Sequence, residues 1–483
     1  MNVSRSTVIK SLIWKLLERC SVQIVTFIVT IVLARILVPE DYGLIALVLV
    51  FVNISNVIVD GGLNMALVQK KEADNIDFST IFYASLLLAT ILYLILYIFS
   101  GAIANFYGKL ELAYVIKVLG FSLFFYAITS IQKAFLSRHL LFKNLFYSSL
   151  GAVVVSGVLG IWMAKMGYGV WALVAQNLAV QIVTAIIMWF TVKWRPQFVF
   201  SYERFKGLFN FGWKIFASNF LINLFINVRS LIIGKVYTAS ALGYFDRGKQ
   251  FPALIIENIN ASIQAVLFPV LSGEQDNVQV VKAMVRRSIK MSAFIIFPLV
   301  IGLVVTAEPL IYALLTEKWM GAVPFIQIFS FAYMLMPMQI ANLQAIQALG
   351  HSGTTLKIEL IKKVIELLIL IVTVSISVLA IAWGIVAFNI ICLFINVVPN
   401  KKLLNYGIKE QVKDVIRMFL IALTMGGSIY WIKFLNIPVI AVLFLQFIVG
   451  VAIYMGLCLL FKEDSFMYLI QMYKDNKHKL RKQ

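Results

Sequence analysis

Two adjacent charges, Glu18 and Arg19, interrupt the first long apolar run of this chain, and Asp60 precedes Gly61-Gly62 in the second. Lys214 and Arg229 punctuate the seventh run, and Asp246, Arg247, Lys249 and Glu257 crowd the eighth. A charge held at mid-bilayer costs roughly 2.5–3.5 kcal/mol on insertion scales, so it faces a cavity or a partner. Arginine forks suit bidentate contact with phosphate, and the net sign of the set is positive. Arg19, Arg229 and Arg247, with Lys214 and Lys249, are therefore candidates for binding an anionic, phosphorylated substrate. Glu18, Asp60 and Glu257 read two ways. They pair structurally (Glu18 with a neighbouring Lys or Arg, Asp60 with Arg19, Glu257 with Lys249), or they hold a coupling cation.

Nucleotide, metal and catalytic chemistry find little in the sequence. Gly243-Tyr244-Phe245-Asp246-Arg247-Gly248-Lys249-Gln250 has the spacing of a phosphate-binding loop. Gln250, however, stands where a Ser or Thr would hold magnesium, and an apolar run precedes it where that loop needs a strand. Gly167-Tyr168-Gly169-Val170-Trp171-Ala172 is a tight turn between two apolar runs. His139, His351 and His478 fall in connections or the tail, and no two share a run. No metal site, cofactor or catalytic residue is expected.

The elements that must position these charges follow from composition. Of 483 residues, 61% are hydrophobic and 13% charged, with a mean hydropathy of +0.92. A soluble protein carries about twice that charge, so a globular enzyme in water, a disordered chain and a disulfide scaffold are excluded. Cys20, Cys392 and Cys458 all lie within apolar runs. A spanning helix needs about 20 mostly apolar residues. About fourteen such runs occur, near 11–37, 42–68, 78–106, 112–136, 144–166, 168–192, 208–236, 242–271, 288–315, 323–349, 358–379, 381–399, 413–435 and 438–461. The eighth is the weakest, because of its charges. Every connection is short, leaving no extramembrane domain to hold a nucleotide or a donor sugar, and the first run has no signal-peptide cleavage pattern.

The formal charge of +20 is an orientation signal and forms no continuous basic face for nucleic acid. Of 42 Lys and Arg, 29 fall in the N-terminal segment, alternate connections and the tail. Six (Arg35, Lys109, Lys165, Lys235, Lys318, Lys433) fall on the other side. The positive-inside rule then places both termini in the cytoplasm of a multi-pass plasma-membrane protein. Trp171, Trp319 and Trp383, beside outer connections, read as interfacial belt residues. Pro252, Pro269, Pro298, Pro309, Pro324 and Pro337 cluster in runs eight to ten and mark these as kinked helices, either rocking or statically bent.

The chain also repeats itself. Leu33-Ala34-Arg35-Ile36-Leu37-Val38-Pro39-Glu40-Asp41-Tyr42-Gly43-Leu44 and Ile233-Gly234-Lys235-Val236-Tyr237-Thr238-Ala239-Ser240-Ala241-Leu242-Gly243-Tyr244 share one register, 200 residues apart. Both end the first helix of a block of six, and an even block keeps the copies parallel. The expected architecture is all-α and integral to the membrane, with about 14 transmembrane helices. Two six-helix lobes related by pseudo-twofold symmetry occupy 1–206 and 207–405, two further helices 406–462, and a basic cytoplasmic tail 463–483.

Leu33-Ala34-Arg35 through Pro39-Glu40-Asp41-Tyr42-Gly43, Val59-Asp60-Gly61-Gly62-Leu63-Asn64-Met65-Ala66-Leu67-Val68-Gln69-Lys70 and Leu242-Gly243-Tyr244-Phe245-Asp246-Arg247 resemble the bacterial polysaccharide exporters. These are Wzx-type flippases of lipid-linked oligosaccharides, similar to the colanic acid and teichuronic acid exporters, in the multidrug/oligosaccharidyl-lipid/polysaccharide exporter superfamily. The resemblance implies two six-helix lobes around a central cavity. It also implies alternating access that carries a polyprenyl-diphosphate-linked repeat unit outward for exopolysaccharide, capsule, O-antigen or lipopolysaccharide synthesis. Membrane lipids, and a polymerase and glycosyltransferases of the same pathway, would be the partners. The alternatives are a multidrug or small-molecule cation-coupled antiporter of the same fold, whose cargo would favour carboxylates over arginines, and a membrane polymerase or ligase, which would need a large outer loop.

Overall fold

The computed structural model describes residues 5–471. Lys474, Lys477, Lys479, Arg481 and Lys482 of the basic tail, and His478, lie outside the described residues. With every backbone donor and acceptor needing a partner away from water, an apolar run resolves into helix. Among the described residues there are α-helices and short 3-10 turns and no strand.

The chain divides into two compact units, Met1–Gly243 and Tyr244–Gln483. The first contains α1 (Arg5–Ile36), α2 (Pro39–Asp60), α3 (Leu63–Gln69), α4 (Asn75–Tyr107), α5 (Glu111–Gly120), α6 (Ser122–Arg138), α7 (Phe142–Lys165), α8 (Val170–Thr191) and α9 (Tyr202–Val236), and ends in the first turn of α10 (Ala239–Gly273). The second holds the rest of α10, then α11 (Val278–Leu315), α12 (Val323–Met334), α13 (Met336–Ala348), α14 (Ser352–Val374), α15 (Val378–Leu404), α16 (Ile408–Tyr430) and α17 (Val439–Leu460). Twelve stretches among the described residues are long and apolar enough to cross a membrane. The charge-bearing α10 and α14 occupy the places of the eighth and eleventh apolar runs, so each of the fourteen runs falls on helix.

Within the first unit α7 packs between α1 and α8, and α2 packs on α4, α6, α8 and α9. Lipid is as apolar as leucine, so small residues that let helices approach closely do much of the joining. Gly157 of α7 sits against Val29 of α1, and Gly160 against Gln176 of α8. Within the second unit α11 is the hub, touching α12, α13, α15, α16 and α17.

Helix ends follow local chemistry. Asp74 caps α4 by accepting from the Ile76 and Asp77 N–H groups at 3.1 and 3.0 Å. Asn277 and Ser377 cap α11 and α15 in the same way. The second apolar run is broken at Gly61-Gly62, with φ of +52° and +69°, a backbone that glycine adopts without a Cβ penalty. The expectation that prolines in runs eight to ten make the bends is thus only part of the account. Pro252 and Pro269 lie inside α10, and Pro298 and Pro309 inside α11, whereas Pro324 and Pro337 sit in the first turns of α12 and α13, where a missing N–H costs nothing.

Candidate functional site

The candidate charges divide between the two units. In the first, Lys15 Nζ meets Glu18 Oε2 at 3.1 Å, one turn along α1. Lys133 of α6 lies in the field of both. Arg19, the next residue, is exposed, as is Lys214 on α9, while Arg229 is half-buried and partnered. Arg19 on α1 and Lys214 on α9 are thus each exposed cations, while Glu18 is committed to Lys15.

Asp60 ends α2 at the glycine break. Its carboxylate accepts from the Asn64 side chain on the far side of the break. Tyr126 of α6 lies close enough to feel its charge, and the side-chain oxygens of Asn56 and Asn64 are buried without a partner. Gly62 packs directly on Gly212 of α9: a Cβ on Gly62 would lie 2.2 Å from the Gly212 carbonyl oxygen. The break thus holds a half-buried carboxylate beside amide oxygens, two residues from the exposed Lys214 in the α9 sequence.

In the second unit Arg247 is 8% exposed. Its guanidinium donates to Gln250 Oε1 and lies 5.7 Å from the centre of the Trp319 ring. Trp319 itself is fully buried and meets Tyr244 edge-on at 6.1 Å. That corrects its reading as a belt residue: it is the platform on which Arg247 rests. Lys249 is half-buried, and Glu257 is exposed further along α10.

Several polar groups escaped sequence reasoning. Asp77 is fully buried, bound by Lys70 at 2.7 Å and Arg204 at 3.3 Å, and Arg138 donates to the carbonyls of Leu67, Val68, Lys70 and Lys71 at the end of α3. On α14, Lys362 and Glu366 are more than nine-tenths buried and pair with Glu359 and Lys363 at 2.8 and 2.9 Å. Asn342 of α13, Asn400 of α15 and Gln411 of α16 are fully buried, and Asn342 bonds to both of the others at 2.8–2.9 Å. Asp414 of α16 accepts from Arg286 of α11 at 2.5 Å and from the Tyr406 hydroxyl at 2.8 Å. For Asn342, Asn400 and Gln411 the polarity of single amides was the available signal, and charge alone does not mark them.

The second unit also contains an apolar groove of about 510 Å³ between α11, α16 and α17. Pro298, Leu299, Phe447 and Val451 line it with few polar residues, among them Gln446, whose side-chain oxygen is buried and without a partner. Among the described residues no group of three or more His, Cys, Asp or Glu side chains is placed to hold a metal ion.

The chain is an all-helical membrane protein with many spans, with charges set within its helices and, in the second unit, an apolar groove between α11, α16 and α17. The same fold is found in the lipid II flippase MurJ in its inward closed conformation, with a TM-score of 0.74 at 15% identity, covering 95% of this chain and all of that one. The polysaccharide biosynthesis protein family matches residues 32–324, and the chain belongs to it. It is 27% identical over 380 residues to the teichuronic acid biosynthesis protein TuaB of Bacillus subtilis, covering 77% of this chain and 78% of that protein. It is 25% identical over 324 residues to the succinoglycan biosynthesis transport protein ExoT of Rhizobium meliloti, covering 67% and 65%.

Proposed function

We propose that this protein translocates polyprenyl-diphosphate-linked oligosaccharide repeat units across the bacterial plasma membrane for surface polysaccharide synthesis. The observation that carries this reading is the family match over residues 32–324 joined to a fold shared along 95% of the chain with a protein named as a lipid flippase.

Such a substrate has three chemically distinct parts, and the residues offer something to each. The diphosphate calls for fixed cations, which Arg19 and Lys214 present on exposed surface and Arg229, Arg247 and Lys249 at greater depth. The polyprenyl chain calls for an apolar channel continuous with lipid, which the groove along α11, α16 and α17 supplies. The glycan needs a path that is neither, opened by rocking of the lobes read as 1–206 and 207–405, with helices 406–462 carrying the groove's far wall. The Lys and Arg asymmetry supports cytoplasmic termini, and a repeat unit assembled on the cytoplasmic side is carried outward. Two negative charges leaving an interior held 100 mV negative gain roughly 4–5 kcal/mol if they cross the full field. Coupling to a cation at Asp60, whose neighbours include unpartnered amide oxygens, supplies a second drive.

The test is reconstitution. The full chain in liposomes, given a polyprenyl diphosphate bearing a fluorescent sugar, should make the label accessible to a membrane-impermeant quencher faster than protein-free vesicles do. Movement of a cationic dye such as ethidium, without movement of the labelled lipid, would establish the antiporter reading instead.

A further inference from the structure

At one end of the second unit the last turns of α11 meet the 3-10 turn Trp431–Phe434 that joins α16 to α17. A second cavity, of about 350 Å³, opens there. Its charged contribution is a single ion pair, Lys433 Nζ to Glu308 Oε2 at 3.4 Å, with the Glu308 side chain 55% exposed. Lys433 is also held over two rings, 4.3 Å from the centre of Tyr430 and 5.1 Å from that of Phe434. Tyr312 and Phe434, 47% and 63% exposed, line the opening with Leu435.

The chemistry of this cavity selects among ligands. The carboxylate and the ammonium cancel, so neither a diphosphate nor a cationic drug gains from entering: Glu308 repels the first and Lys433 the second. An acyl chain would have to bury the pair. A pyranose ring suits all the features together. Neighbouring hydroxyls can donate to Glu308 and accept from Lys433, while the ring's C–H face rests on an aromatic face. The volume falls in the range of small-ligand sites. Lys318 and Lys433 belong to the sparse set of cations that the charge asymmetry assigns to the exterior, the side on which a translocated glycan emerges.

We infer that the Glu308–Lys433 cavity is a sugar subsite that receives the glycan of the translocated lipid on the outer face, an inference that rests on the flippase reading. The two readings can fail separately.

The full chain in phosphatidylcholine nanodiscs is titrated with the repeat-unit oligosaccharide released by mild acid from the lipid-linked pool of the producing cells, and followed by saturation-transfer NMR. The expected result is saturable binding that weakens at least tenfold in Tyr312→Ala, in Phe434→Ala and in the double change Glu308→Gln with Lys433→Met. Tyr312→Phe and Phe434→Tyr keep the ring faces and should bind as the parent does, as should Tyr147→Ala, an exposed aromatic change in the first unit. No saturable signal, unchanged binding in the ring-removing variants, or loss of the signal when phosphatidylethanolamine replaces half the lipid would overturn the inference, the last by showing a headgroup site. Lipid flipping by the parent protein, measured in parallel, reports on the flippase reading alone.

Discussion

Gly43 and Gly243 stand face to face across the crossing of α2 and α10, each against the backbone that precedes the other. A Cβ on Gly43 would lie 1.8 Å from the carbonyl oxygen of Ala239, and one on Gly243 would lie 2.1 Å from that of Pro39. The pairs 43 with 239 and 243 with 39 are exchanged by the 200-residue shift of the sequence repeat, as a local twofold axis between the two turns requires.

Gly43→Val and Gly243→Val should therefore each lower the thermal midpoint of the purified protein and its abundance in membranes. Overpacking against movable side chains costs about 1–3 kcal/mol, and a carbonyl in a helix has less room to yield, so the upper end of that range is expected. Gly101→Val, where nothing lies within 4 Å of the added carbon, should leave both measurements unchanged. A parent-like midpoint in the two crossing variants would show that the turns separate readily.

What the sequence disclosed and what it withheld have physical reasons. The fourteen apolar runs were legible because bilayer thickness fixes the length of a spanning segment, and the Gly43 repeat because main-chain contact admits only one residue type. The break at Gly61-Gly62 was not, since apolar residues continue on both sides of it. Lys362 and Lys363 lie inside the eleventh apolar run, and hydropathy alone does not show what partners them there. In the structure Glu359 and Glu366 pair with them inside α14. Asn342, Asn400 and Gln411 carry no charge, so nothing marked them as a buried set before their helices were placed side by side.

Arg19 and Arg247 should respond differently to neutralisation. Arg19 is exposed on α1, so Arg19→Gln should reduce polysaccharide export at normal membrane abundance. One charge-assisted contact of about 1.5–3 kcal/mol corresponds to roughly a 10- to 150-fold loss in affinity, and Arg19→Lys should lose less. Arg247 is buried on Trp319, and Arg247→Gln leaves that platform bare and Gln250 without its donor. Abundance should fall first, and Arg247→Lys should not restore it, because a lysine lacks the planar fork. Export and immunoblot levels of the four variants decide the matter. Normal export in Arg19→Gln would remove Arg19 from the phosphate-binding set.

Asp414 joins α11 to α16 through Arg286 and holds the Tyr406 hydroxyl, whose proton burial and the adjacent carboxylate keep in place well above the ordinary range of a phenol. Arg286→Ala leaves a buried carboxylate with Tyr406 and a distant Lys290 at 3.9 Å. Because Arg286 is itself 45% exposed, the cost should be about 1–3 kcal/mol, below that of a fully buried pair. Tyr406→Phe should cost about 1 kcal/mol. The two share a partner, so the double variant should depart from additivity by 0.5 kcal/mol or more, measured by thermal or denaturant unfolding in detergent. Strict additivity would mean that Asp414 bonds to only one of them in solution.

Asp74 gives the pH dependence a sign. Desolvation is the largest single influence on its carboxyl and pushes it up, but the N–H of Asp77, the Arg204 guanidinium and the N–H of Ile76 together outweigh it and hold the carboxyl below the usual value. A carboxyl lowered in the folded state binds fewer protons folded than unfolded. Its contribution is complete above the unfolded value, about 3.9, and is lost as pH falls through the lower folded one. Asp74→Asn keeps the cap on α4, since asparagine caps as well as aspartate, and removes only the charge that faces Arg204 at 2.5 Å. The parent should therefore have a slightly higher thermal midpoint than the variant at pH 7, a gap that closes as pH drops below about 4 and narrows in high salt, because the pair is exposed. Midpoints of both proteins between pH 3 and pH 8 measure it. A gap that widens toward acid would mean that the carboxylate is penalised in the folded state and that Arg204 is engaged by Asp77 alone.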